Sequence, residues 1–78
     1  MSRMRATLGA LGPGGKAVIA GLPPDPAVAD ELAALRVLPG EVIEVLQTLP
    51  FGGPLLIRGA GGTYAIGRSL ADLLEVEW

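Results

Sequence analysis

The 78 residues are 50% hydrophobic and 18% charged, and six Lys and Arg against eight Asp and Glu give a formal net charge of −2. That composition is too apolar for a disordered chain, and its acidic balance is poor material for neutralising phosphates, so nucleic acid is not an expected partner. The absence of Cys and His removes disulfides, thiolate nucleophiles, the commonest general base and the usual ligands of a transition metal.

Met1 to Arg5 is basic, but Ala6 to Pro13 is too short and too broken by glycine for the apolar core of an export signal. The longest charge-free stretch, Val45 to Ile57, contains Pro50, Gly52, Gly53 and Pro54 and falls short of the ~20 apolar residues of a spanning helix. A cytoplasmic protein with no direct membrane insertion is expected, folded as one domain over residues 1–78.

Twelve glycines and seven prolines favour short strands joined by turns. After the Gly12-Pro13-Gly14-Gly15 turn, Lys16 to Ala20 is β-branched at its centre and closed by Gly21, as suits a first strand. Asp25 is a good N-cap and Pro26 a good first helical residue. Val28, Leu32 and Leu35 follow at i, i+4 and i+7, predicting one amphipathic helix of about three turns that stops before Pro39. Between Glu41 and Leu49 the apolar residues come in pairs, Val42 with Ile43 and Val45 with Leu46, which predicts a bulged strand.

Pro50-Phe51-Gly52-Gly53-Pro54 is a loop with the only phenylalanine at its tip. Leu55 to Arg58 and Thr63 to Gly67 form a hairpin about Gly59 to Gly62. Arg68 to Asp72 is a single helical turn before a last strand, Leu73 to Trp78. The expected fold is mainly β: a small, partly open five-stranded barrel with one short helix inserted after the first strand.

Few motifs carry chemistry. Gly12 to Lys16 superficially suggests a phosphate-cradling loop, but Ala10 stands where the first glycine belongs and Ala17 where the Mg²⁺-binding hydroxyl belongs. Gly59-Ala60-Gly61 starts a dinucleotide fingerprint that Tyr64 ends. Glu75 and Glu77 share one face of a strand, and Glu41 and Glu44 are acidic neighbours. These four are the candidates for a divalent metal, although hard cations need several converging oxygens. Phe51 at its loop tip and the helical residues Leu32 and Leu35, with Leu38 beyond them, are the candidates for contact with another protein.

The stretch Glu31 to Val45, with its Leu38-Pro39-Gly40 turn between helix and strand, resembles the most diagnostic segment of the FeoA family. The Pro50-Phe51-Gly52-Gly53-Pro54 turn before a strand ending in Arg58-Gly59, the closing segment Ala65 to Val76, and Leu11-x-Pro13-Gly14 extend the resemblance over nearly the whole chain in the right order. Two departures fall on the helix and its exit: Glu31 stands where the family usually has a basic residue, and Arg36 where it usually has glycine.

The resemblance implies an SH3-like barrel and a non-enzymatic cytosolic accessory of bacterial ferrous iron uptake. Such a protein would dock on FeoB, a GTP-binding membrane transporter, through Leu32, Leu35, Leu38 and Phe51, with no cofactor of its own. The same fold is the C-terminal domain of iron-dependent repressors, whose DNA-binding domains this chain has no room for. A second reading is a metal-binding or iron-sensing module, with Glu41, Glu44, Glu75 and Glu77 as ligands, that acts as a homo-oligomer. Sheet edges on an apolar, sparsely charged surface supply a route to self-association.

Overall fold

Every neighbouring pair of strands is antiparallel in the computed structural model, which describes residues 3–78; Met1 and Ser2, the start of the basic segment, lie outside it. In chain order the elements are β1 (Arg5–Thr7), a 3-10 turn (Leu8–Ala10), β2 (Lys16–Gly21), α1 (Pro26–Ala34), β3 (Val42–Thr48), β4 (Leu55–Gly59), β5 (Gly62–Ile66), α2 (Arg68–Ala71) and β6 (Glu75–Glu77). Their order in the sheet is β1-β6-β2-β3-β4-β5, so β1 and β5 are its two edges.

This is the mainly β, partly open SH3-like architecture expected, with six strands in place of five and the helix after the second. The added strand, β1, has no apolar run of its own. It forms because β6 offers a pairing edge: Arg5 lies opposite Glu77 and Thr7 opposite Glu75, and Met4 and Trp78 exchange backbone hydrogen bonds of 3.0 and 3.2 Å.

Alternation directs the core. Ala17 and Ile19 of β2, Ile43 and Val45 of β3, Leu55 and Ile57 of β4 and Val76 of β6 all point inward, at 3% exposure or less. Leu8, Leu32, Val37, Ile66, Ala71 and Leu74 complete that core. The bulge predicted in β3 falls at Leu46, between the pairs Val45–Ile57 and Gln47–Leu56. The extra residue lets the strand bend around the core.

The Oδ1 of Asp25 accepts a 3.0 Å hydrogen bond from the Ala27 N–H and caps α1. The helix ends at Ala34, well before Pro39 would end it, because Arg36 takes a left-handed backbone with φ 61°. The Arg36 N–H then reaches the Ala33 carbonyl at 2.9 Å and the Val37 N–H the Leu32 carbonyl at 2.8 Å. These two bonds form a Schellman closure, with buried Leu32 and Val37 at its two apolar positions. Among the described residues no helix is long and apolar enough to cross a membrane.

Candidate docking surface

The four apolar residues singled out for docking do not form one patch. Leu32 is 1% exposed and belongs to the core, so its face of α1 is spent inside the molecule and cannot contact a partner without opening the fold. Leu35 and Leu38, 41% and 38% exposed, lie at the helix exit and in the turn before β3. Phe51 lies beyond the opposite end of β3, in the loop between β3 and β4. Two separate apolar sites result.

The helix exit is held by the β4–β5 hairpin. The Tyr64 hydroxyl donates to the Leu35 carbonyl at 3.2 Å, and a Cβ on Gly61 would overlap that same carbonyl. Only glycine therefore lets the hairpin tip close over the end of α1. Partial burial raises the Tyr64 pKa above that of a free phenol.

The loop at the other end is tight. The Gly53 N–H meets the Pro50 carbonyl at 3.1 Å and the Leu49 N–H meets the Pro54 carbonyl at 3.1 Å. Both central residues of this turn are left-handed, Phe51 at φ 60° and Gly52 at φ 69°. A bulky side chain at such a position costs about 1–2 kcal/mol. Nothing within the fold recovers that cost, because the Phe51 ring is fully exposed at 104%.

Other apolar surface escaped the sequence reading. Val18 and Val42 face each other across β2 and β3 on the outer side of the sheet. Pro23, Pro24, Val28, Leu70 and Leu73 line a groove of about 540 Å³ beside the start of α1, with Asp25, Glu31 and Ser69 at its polar positions. A hydrophobic partner of β-branched residues on a strand signals Val18 and Val42. The groove has no local signal, since it joins residues from α1, α2 and the loops before and after them.

Three of the four metal candidates are engaged in ion pairs. The Glu44 carboxylate accepts a 2.7 Å hydrogen bond from Arg58, which holds it below the usual carboxylate range; Lys16 adds to that effect and desolvation opposes it. Glu77 meets Arg3 at 3.0 Å and Arg5 at 3.2 Å, and Glu75 meets Arg5 at 3.8 Å. Glu41 lies at the turn into β3, away from β6 in the sheet order. Among the described residues no group of three or more His, Cys, Asp or Glu converges as a metal site would require. The Gly12-to-Lys16 turn also turns its amides inward, with Gly14 bonded to the Val45 carbonyl and Gly15 to that of Gly12.

Residues 6–77 match the FeoA domain family. The chain belongs to the FeoA family. Among solved structures this FeoA-family chain is similar to an iron uptake regulatory protein (FeoA), at 29% identity and a TM-score of 0.84, covering 96% of this chain and 99% of that one. It is similar also to the FeoA protein of Chlorobium tepidum, at 27% identity and a TM-score of 0.82, covering 90% and 67% of the respective chains. To iron(II) transport protein A of Clostridium thermocellum the identity is 32% and the TM-score 0.84, covering 91% and 44%. No curated protein matches the chain by sequence. A manganese-dependent transcriptional repressor, 20% identical with a TM-score of 0.86 over 41% of its length, shares the fold. Family membership gives the chain a general, non-catalytic role in bacterial ferrous-iron uptake.

Proposed function

We propose that this FeoA-family protein acts in ferrous-iron uptake as a cytosolic accessory that docks on the GTP-binding part of the FeoB transporter, with Phe51 as the anchor of the contact. One observation carries the reading: a fully exposed aromatic ring held on a strained, tightly closed turn. Unlike the strain at Arg36, which closes α1, the strain at Phe51 serves no contact within the fold, which favours a use outside it, and buried aromatic anchors dominate protein interfaces. The closed turn fixes the backbone that carries the ring before contact, which lowers the backbone ordering cost of binding.

Leu35 and Leu38 form a second contact at the far end of β3, so both sites engage at once only on a partner surface that spans the strand. Seven residues of β3 set that span at about 20 Å. A regulatory role requires different affinity for the GTP and GDP states, because a ligand shifts an equilibrium only by its differential binding.

Calorimetry of the chain against the cytosolic part of FeoB, loaded with a GTP analogue or with GDP, tests this. Saturable binding that differs between the states and falls at least tenfold in Phe51→Asn is the expected result. Equal affinity in both states removes the regulatory role, and unchanged affinity in Phe51→Asn removes the anchor.

A further inference from the structure

The two sheet edges are built differently. β1 is three residues long, carries Arg5 and is flanked by Arg3, which is how natural sheets discourage pairing with another chain. β5 is five residues long, and from Gly59 to Gly67 there is no charged side chain and no proline. Thr63 and Ala65 are exposed on it.

The register fixes which backbone groups face outward. The hairpin has two loop residues, Ala60 and Gly61, and pairs Gly59 with Gly62, Ile57 with Tyr64 and Leu55 with Ile66. In an antiparallel ladder the pairs that exchange both hydrogen bonds alternate with pairs that exchange none. The closing pair of a two-residue hairpin is of the first kind, so Gly62, Tyr64 and Ile66 bond to β4. The N–H and C=O groups of Thr63 and Ala65 therefore project from the free edge. None of the backbone bonds outside the ladders involves either residue.

We infer that β5 is a pairing edge for a second copy of this chain, joined antiparallel about a two-fold axis through Tyr64. The parity of the register allows it: with Tyr64 opposite Tyr64 of the other copy, Thr63 falls opposite Ala65 and Ala65 opposite Thr63. Each of those two pairs exchanges two hydrogen bonds, and all four outward groups of each copy are satisfied. The tyrosines occupy the close, non-bonded position, where cross-strand aromatic pairs add to sheet stability. No like charges meet on the paired strands, since both bring the same uncharged segment. The contact is isologous and closes at two copies, so it makes a dimer and not a fibre. One short strand from each side is a small interface, below the area of stable complexes, so the dimer is a weak one that forms in the high-micromolar range.

Sedimentation velocity of the 78-residue chain from about 10 μM to about 1 mM, with amide hydrogen exchange at both ends of that range, tests the inference. The expected result is a rise in mass toward two chains, with the Thr63 and Ala65 amides slowing as concentration rises. Ala65→Pro removes an outward N–H that β4 does not use, a position where edge strands tolerate proline, and is expected to stay monomeric. Thr63→Glu and Ala65→Lys keep the proline question separate. Each alone is expected to weaken self-association, and the mixture of the two to restore pairing, because one glutamate then faces one lysine across the axis. A monomer at all concentrations overturns the inference. So does a dimer that survives both Ala65→Pro and Ala65→Lys, or protection of Thr63 and Ala65 that appears only when an extended segment of a different protein is added.

Discussion

Arg36 at φ 61° and Phe51 at φ 60° hold backbone conformations that L-residues rarely adopt, and the two have different meanings. Arg36 is the residue that closes α1, a position where glycine relieves the clash and costs only some unfolded-state entropy. Arg36→Gly is therefore expected to stabilise the chain by about 1 kcal/mol, read as a higher urea midpoint with an unchanged slope. Phe51 gives nothing to the fold for its strain. Phe51→Asn, which tolerates the left-handed region, is expected to raise stability by about 0.5–1 kcal/mol in the same measurement while weakening the docking proposed above. Loss of stability in that variant would mean that the ring packs within the fold. A gain in stability matched to a loss of binding is the signature of a residue kept for contact with a partner.

Between elements, the clearest electrostatic link is the Glu44–Arg58 pair across β3 and β4. Its hydrogen bond lowers the folded-state pKa of Glu44, so its contribution is present above the unfolded carboxylate pKa and fades as pH falls through the lowered value. Arg58→Met is expected to return the Glu44 titration toward the ordinary range, followed by carboxyl carbon NMR shifts, and to flatten the acid limb of stability. An unchanged Glu44 titration would assign the shift to Lys16, opposite Glu44 on β2. Elements whose signals are local were legible in the sequence: the Asp25 cap, the Pro26 start, the bulge behind paired apolar residues and the glycine-bounded hairpin. β1 was not, because a three-residue edge strand owes its pairing to β6, far away in the chain. The early end of α1 was also hidden, since Arg36 reads as a helix former and only the Leu32–Val37 closure forces it left-handed.

At the scale of the molecule, the four docking candidates shared apolar character but not a location, and periodicity could not tell which side of α1 the sheet would take. Leu32 went inside, Leu35 and Leu38 stayed at one end of β3, and Phe51 stands alone at the other. The acidic candidates were equally visible in the sequence. The arginine partners of Glu44, Glu75 and Glu77 come from on or beside other strands, so their use as ion pairs depends on a register that composition does not encode. This distribution predicts how docking responds to salt. Leu49 to Pro54 carries no charge, and the arginines and carboxylates of the outer sheet face are largely paired with one another. Association through Phe51 gains nothing from long-range steering, so its on-rate should fall near the unsteered ~10⁵–10⁶ M⁻¹s⁻¹. Raising NaCl from 50 to 500 mM is expected to change the affinity for the FeoB cytosolic part by less than about threefold, because exposed charges farther away than a Debye length of about 4–14 Å contribute little. Stopped-flow mixing across that range checks it. A steep fall of on-rate with salt would place the contact on the charged face of β1 and β6 and not on the phenylalanine turn.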